Sequence, residues 1–156
     1  MDIAEAAGVS IGTVSLAIND SPLVNSETKK KIKKLSQEMG YIPNEAARSL
    51  VRKKSRQFGV IIPEISNYFY STFIKELNSF VHSMNYGLTI SISDNNPAQE
   101  CMIIDEMIRN NVEGVIIVPF NERNSSPEYI NKLRKVGIPF LFAVDYYDGI
   151  DACHVI

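Results

Sequence analysis

A glycine-containing turn between two short helices is the feature that most constrains the amino-terminal part of this chain. Gly8 favours the left-handed backbone that ends a helix, and Ser10 is a residue type that caps the free amides of the next one. Ala4 is small enough to lie where two helices cross, and Val14 can point from the second helix into a core. Residues 2–20 therefore predict a helix-turn-helix.

The second of these helices is expected to have an inner and an outer face. Helical spacing buries Val14, Ala17 and Ile18 against the rest of the head. The outer face would lie in a DNA groove, whereas an ordinary helical hairpin packed inside a core is the alternative reading of the same stretch. The predicted outward residues are Ile11, Gly12, Ser15, Leu16 and Asn19.

Charge is distributed unevenly along the chain. Residues 1–57 carry ten Lys or Arg against six Asp or Glu, whereas residues 58–156 carry six against twelve. A basic head would be attracted to phosphates, although a solvated lysine face is the alternative.

There is no long apolar run and no basic-then-apolar leader, so neither a membrane span nor a secretory signal is predicted, and a cytoplasmic location is expected. Cys101 and Cys153 lack metal-ligand spacing, and neither a metal nor another cofactor is expected.

Two further helices are expected before the composition changes. Asn25 caps a third helix that runs to about Met39, in which Ile32, Leu35 and Met39 close the head and a set of lysines faces solvent or phosphate. The stretch 44–51 is a short helix with too little apolar surface to fold alone. It is either a dimer-forming, DNA-contacting segment, in which Leu50 wedges into a base step, or a basic linker. The lysines are Lys29, Lys30, Lys31, Lys33 and Lys34.

From Phe58 onward, strands alternate with amphipathic helices, which predicts a parallel sheet covered by helices on both faces. The predicted strands are 58–62, 88–93, 114–118 and 139–144. The helices between them carry apolar stripes from Phe69 to Met84, from Ile103 to Ile108 and from Tyr129 to Val136. The predicted domains are a helix-turn-helix head at 1–43, a hinge helix and basic linker at 44–57, and an α/β body at 58–156.

Ligands of such sheets bind beyond the carboxyl ends of the strands. Here those ends are followed by 63–69, 94–96, 119–121 and 145–147, which bring aromatic, Asp and Asn residues to one edge, as a polar small molecule requires. Loop capping by the Asp residues, with Phe69 in the core, is the alternative. His82 and His154 have no nucleophile or metal-spaced partner in the sequence, and no glycine-rich phosphate loop follows the first strand. An enzyme is therefore not predicted.

The order of these parts resembles the lac-repressor (LacI/GalR) family of bacterial transcriptional regulators along essentially the whole chain. The matching stretches are DIAEAAGVSIGTVS, AIN, GYIPNEAARSL, FGVIIPEISNYFYSTFIKEL, GVIIVP and GIPFLFAVD. The resemblance implies a homodimeric repressor that binds a pseudo-palindromic double-stranded operator. It also implies a body like the N-terminal subdomain of periplasmic binding proteins, in which a sugar or nucleobase effector shifts hinge order and so operator affinity.

The same resemblance assigns roles to individual residues. Ser10, Thr13, Ser15 and Asn19 match positions that hold the phosphate backbone or the register, and Ile11 and Gly12 match positions that choose bases. Leu50 matches the hinge leucine, in a hinge that also presents Asn44 and Ala47 to DNA. The matched effector-pocket positions are Tyr68, Phe69, Asp94 and Asp145.

Two departures from the family pattern carry expectations of their own. Leu16 stands where the family usually has Arg, and Gly12 removes another side chain, so we expect an operator selected by apolar contacts and DNA shape. The family's body has two similar subdomains, whereas this sequence ends as it enters a strand toward the second and begins within the expected opening turn of the first helix. Weak or no effector binding is therefore expected. The competing function of another class is a small-molecule-binding α/β module with a degenerate head.

Overall fold

The computed structural model describes residues 2–41, 54–119 and 128–155. The chain divides into two compact units, Met1–Val51 and Arg52–Ile156, which we call the head and the body and treat separately. The domain limits drawn from the sequence remain a prediction. Within the described ranges, none of the helices has the length and apolar character needed to cross a bilayer.

The head is a three-helix unit built from α1 (Ile3–Ala7), α2 (Ile11–Ile18) and α3 (Ser26–Glu38). Asp2 caps the first turn of α1, because its side chain accepts a hydrogen bond from the Ala4 amide. Ala17 and Ile32 are fully buried at the centre of the head. The other buried members of this core are Ile3, Ala4, Ala7, Val14 and Val24, against which Val9, Ile18 and Leu35 pack in part.

The expectation that Met39 closes the head is wrong. The third helix ends at Glu38, so Met39 is its carboxyl cap and is 40% exposed. Gly40 follows with a φ of 62°, and the Tyr41 amide donates to the Ser36 carbonyl, which ends the helix in a left-handed cap. The Met39 amide still donates to the Leu35 carbonyl, but at this last position of the helix the side chain is not part of the head core.

The body contains a parallel sheet, as its strand–helix alternation predicts, but the sheet has five strands and not the four expected, because Cys153–Val155 pairs with the fourth. The strands are β1 (Gln57–Ile62), β2 (Gly87–Ile92), β3 (Gly114–Ile117), β4 (Phe140–Ala143) and β5 (Cys153–Val155), in the order β2-β1-β3-β4-β5. The register pairs Phe58 with both Leu88 and Gly114, and Leu141 with Cys153. The carboxyl ends of the strands consequently meet along one edge.

Helices cover both faces of this sheet. The helix α4 (Tyr68–Ser83) packs on one face, and α5 (Pro97–Arg109) and α6 (Asn131–Val136) pack on the other. The expected third helix of the body, 129–136, instead opens with a 3₁₀ turn at Glu128–Ile130 and becomes α-helical only from Asn131. On the α5 side, the sheet buries Ile61, Val115, Ile117 and Phe142; on the α4 side, it buries Val60, Ile62, Val118 and Ala143.

Candidate nucleic-acid interface and carboxyl edge

The turn between α1 and α2 forms as its residues predict. Gly8 has a φ of 71°, and its amide donates to the Glu5 carbonyl while the Val9 amide donates to that of Ala4. Ser10 is the amino-terminal cap of α2, and its Oγ accepts from the Thr13 amide at 3.1 Å. The first end of the turn is thus held by backbone hydrogen bonds and the second by the Ser10 side chain, so the start of α2 has a defined position.

The helix α2 is divided into a buried and an open side. Val14 and Ala17 lie in the head core, whereas Ile11 is 72% exposed and Leu16 is 39% exposed. A Cβ added to Gly12 would meet only Ser10 Oγ, at an ordinary contact distance of 3.7 Å. Packing within the head therefore does not require glycine at position 12, and the outer face has no side chain at that point.

The polar residues predicted to hold phosphates lie along the same helix. The Ser10 and Thr13 hydroxyls are 3.0 Å apart and share a hydrogen bond, and Asn19 Nδ2 donates to the Ser15 carbonyl at 2.9 Å. Ser10 and Ser15 are exposed, while Thr13 and Asn19 are half-buried. The structure thus gathers these four residues on one element. Asn44, Ala47 and Leu50, the predicted hinge contacts, lie outside the described residues.

The lysines of α3 are less free than the sequence suggests. Lys31 Nζ donates to the Ala7 carbonyl at the end of α1, and Lys29 Nζ donates to the Asp20 carbonyl. Lys33 Nζ lies 2.6 Å from the Asp20 carboxylate. Lys34 makes a long contact with Glu38, whereas Lys30 has no hydrogen bond or ion pair among the described residues. The expectation of lysines left largely to solvent or phosphate therefore holds for exposure, because four of the five are exposed and Lys29 is half-buried, but three of them also cap a carbonyl or pair with Asp20.

In the body, we define the carboxyl edge as residues 63–69, 93–96, 118–119 and 144–148. Tyr68 is 83% exposed and Phe69 is 51% exposed, which contradicts the alternative that Phe69 is core. Asp94 is exposed beyond β2, and Asp145 is half-buried beyond β4. Burial and the nearby Glu64 and Asp145 carboxylates raise the pKa of Tyr70. Acidic residues from the loops after β1 and β4 therefore both lie near the Tyr70 hydroxyl.

The loop after β4 is held in an uncommon backbone conformation. Val144 has a φ of 73°, which a β-branched side chain seldom adopts and which costs on the order of 1–3 kcal/mol. The Val144 amide donates to the Val155 carbonyl at 2.8 Å, and the Tyr146 amide donates to its neighbour Asp145 Oδ1 at 2.8 Å. These contacts turn the chain sharply at the end of the strand and fix the position of the Asp145 carboxylate.

One buried polar cluster is absent from the sequence-based prediction. Glu100 of α5 is 0% exposed and accepts hydrogen bonds from the hydroxyls of Tyr129 and Tyr147. Burial raises the pKa of the Glu100 carboxyl, and the two tyrosine hydrogen bonds oppose that rise. One feature of the sequence does indicate that Glu100 is buried: it lies on the apolar stripe of the helix, ahead of Ile103, Ile104 and Met107. Within the described ranges, no group of three or more His, Cys, Asp or Glu side chains could hold a metal ion.

Comparison with known proteins agrees with this architecture. Residues 1–44 match the family described as "Bacterial regulatory proteins, lacI family". The match covers the helix-turn-helix head described above. Catabolite control protein A of Priestia megaterium is 35% identical over 142 residues, which cover 91% of this chain and 42% of that protein. The chain thus spans less than half the length of this relative.

Two solved structures show that the resemblance extends through the body. A LacI-family transcriptional regulator from Silicibacter pomeroyi superposes with a TM-score of 0.82 at 27% identity, over 99% of this chain and 45% of that one. The lac repressor dimer bound to operator and the anti-inducer ONPF superposes with a TM-score of 0.77 at 24% identity, over 91% of this chain and 43% of that one. The body therefore has the α/β fold of these regulators.

Proposed function

We propose that this chain belongs to a sequence-specific transcriptional regulator, acting as a repressor in the cytoplasm, that inserts α2 into the major groove of DNA. The proposal rests on the difference between the buried and the open side of α2. Val14 and Ala17 anchor the helix, while Ile11, Gly12 and Leu16 stay open at its amino-terminal end and along one side. Recognition helices present this end to base edges. The match of residues 1–44 to the lacI family supports the same role.

We propose that α2 recognises base pairs through apolar contacts. Ile11 and Leu16 offer no hydrogen bonds but can contact thymine methyl groups, which are exposed in the major groove. Glycine is a weaker helix former than alanine, and packing in the head does not require it at position 12. We infer that its missing side chain lets the helix backbone approach the base pairs closely.

The proposed phosphate contacts combine short polar side chains with one open lysine. Ser10, Thr13, Ser15 and Asn19 would fix the register of α2 on the backbone, as such contacts carry no sequence information of their own. Lys30 is the lysine of α3 that makes no hydrogen bond or ion pair among the described residues, and Lys34 makes only a long contact with Glu38. A homodimer on a pseudo-palindromic operator is part of the proposal, with a hinge formed by Asn44, Ala47 and Leu50 in the minor groove.

We further propose that a neutral sugar or nucleobase binds at the carboxyl edge and modulates operator affinity. Tyr68 and Phe69 offer exposed rings for stacking, and Asp94 and Asp145 can accept ligand hydroxyls or amino groups. The carboxyl edge, as described, contains Glu64, Asp94, Asp145 and Asp148 but no Lys or Arg. A phosphorylated effector would be repelled by these carboxylates, so we infer an uncharged one.

The effector proposal can be tested by saturation-transfer NMR, which detects the weak binding expected of this chain. Glucose and adenine would be compared with glucose 6-phosphate and AMP, each at millimolar concentration. We expect transfer to the neutral compound of at least one pair and less to its phosphorylated counterpart. Stronger transfer to the phosphorylated member of both pairs would contradict the inferred charge, and no transfer to any compound would argue against these two ligand classes.

The DNA proposal is tested by selecting binding sites from random duplexes, in parallel for the native chain and for Leu16→Arg. The native chain should enrich a two-fold symmetric consensus with thymines in each half-site. The arginine variant should shift the preference toward guanine, since Arg pairs with the major-groove edge of that base. If neither protein enriches a consensus, the alternative function, a small-molecule-binding module with a degenerate head, is favoured. An unchanged consensus in Leu16→Arg would refute the reading role of this position.

A further inference from the structure

Glu100 is a buried acid that the proposed DNA and effector contacts do not use. It lies in the first turn of α5 with 0% exposure, beside a core of aliphatic and aromatic side chains. Removing a carboxylate from water is costly unless it is hydrogen-bonded, and an apolar side chain on the stripe of α5 would avoid that cost. We therefore ask which groups the buried Glu100 carboxylate binds.

The carboxylate holds two tyrosines from different segments of the body. The Tyr129 hydroxyl donates to Oε1 at 2.9 Å, and the Tyr147 hydroxyl lies 3.2 Å from Oε1 and 3.1 Å from Oε2. The Tyr147 ring is 5% exposed and packs edge-to-face on Phe142 of β4, with the ring centroids 5.6 Å apart. An ionised carboxylate only accepts hydrogen bonds, so it matches two donating hydroxyls.

Both tyrosines belong to segments that follow strands at the carboxyl edge. Tyr147 comes directly after Asp145 and Tyr146 in the loop beyond β4, and Tyr129 lies in the 3₁₀ turn before α6. Glu100 itself is on the helix that follows β2. One carboxylate thus joins three successive connections of the sheet from beneath the surface, while Asp145 is half-buried and Tyr146 exposed above it.

We propose that Glu100 is a positioning residue for the carboxyl edge, tying the loop that carries Asp145 and Tyr146 to the 3₁₀ turn of Tyr129. The Glu100 carboxylate makes no contact with the effector and acts through the two tyrosines. Its role in effector binding rests on the proposed function of that edge. The tie itself is a property of the body and can be measured without any effector.

The experiment is amide hydrogen exchange on the full chain with five variants. Tyr147→Phe keeps the ring on Phe142 but deletes the hydroxyl, and we expect exchange in residues 144–150 to rise roughly tenfold, as loss of a hydrogen bond to a charged acceptor implies. Tyr129→Phe should raise exchange in 128–130 instead. Glu100→Ala should raise exchange in both segments together, and Glu100→Gln should restore protection in part. Glu106→Ala, an exposed acid on the same helix, is the control and should change neither segment.

The outcomes separate a tie from a purely structural role. Exchange that stays at the native rate in 144–150 for Tyr147→Phe would overturn the proposal, as would a rise spread evenly over β1 and β3. If Glu100→Ala does not fold, the two phenylalanine variants still decide the question. Because these measurements contain no ligand, failure of the effector proposal would appear in the ligand NMR panel and leave the exchange result unaffected.

Discussion

Truncation of Ile11 tests the proposed apolar reading most specifically. The side chain is 72% exposed and lies outside the head core, so Ile11→Ala should leave the folding of the head unchanged. Complete burial of an isoleucine side chain is worth about 1.5–3 kcal/mol, and docking would cover most of the exposed part. Keeping only Cβ should therefore cost about 1 kcal/mol per half-site. For a dimer on two half-sites this amounts to about 2 kcal/mol, or roughly a thirtyfold rise in Kd.

The assay is fluorescence anisotropy with the selected operator and with a copy in which deoxyuridine replaces the half-site thymines. That replacement deletes only the thymine methyl groups. If Ile11 contacts a methyl group, the effects of Ile11→Ala and of deoxyuridine should be strongly non-additive, because either change removes the same contact. Met39→Ala is the control, since Met39 is an exposed apolar residue of the head outside α2. Fully additive effects, or a change in Kd below twofold, would refute the contact.

Three other predictions concern stability. Ser10→Ala removes the cap of α2 and should destabilise the head by about 1 kcal/mol, seen as earlier thermal loss of head amide signals in NMR, whereas Ser10→Asn should retain the cap. Ile32→Ala should cost about 2–5 kcal/mol, comparable with the whole stability of so small a unit, so operator binding should be lost while the body still melts cooperatively. Burial raises the pKa of Glu100, so the folded body binds this proton more tightly than the unfolded chain. The stability contributed by Glu100 is therefore present at acid pH and declines as pH rises past its ordinary value of 4.5 toward the folded pKa. Denaturant titrations of Glu100→Gln should show that decline removed; an identical pH dependence in both proteins would contradict it.

Local sequence signals were sufficient for the helices of the head and for most elements of the body. Gly8 and Ser10 define the turn because left-handed backbone and amide capping depend on single residues. The alternation of strands and helices from Phe58 defines the parallel sheet because buried strands and amphipathic helices have different periods. The 3₁₀ turn at Glu128–Ile130 was missed, since its apolar spacing is the same as that of a helix.

Long-range contacts were not accessible in this way. Lys29, Lys31 and Lys33 look like a solvated stripe, and nothing local indicates that Ala7 and Asp20 lie within reach of their ammonium groups. Glu100 reads as an ordinary first-turn acid until the fold brings tyrosines from two later segments onto it. Exposure of Phe69 also had to come from the structure, because a ring at the start of an amphipathic helix fits a core position equally well.

The central claim, that α2 docks in DNA while short polar side chains and Lys30 hold the phosphates, is tested most directly by measuring the affinity for the selected operator as a function of salt concentration. The account predicts a linear fall of log K with log salt concentration, and a slope that is smaller by about one per protomer in Lys30→Ala. It also predicts that affinity for the operator exceeds affinity for random duplex at every salt concentration. A slope near zero, or equal affinity for both duplexes, would contradict the account.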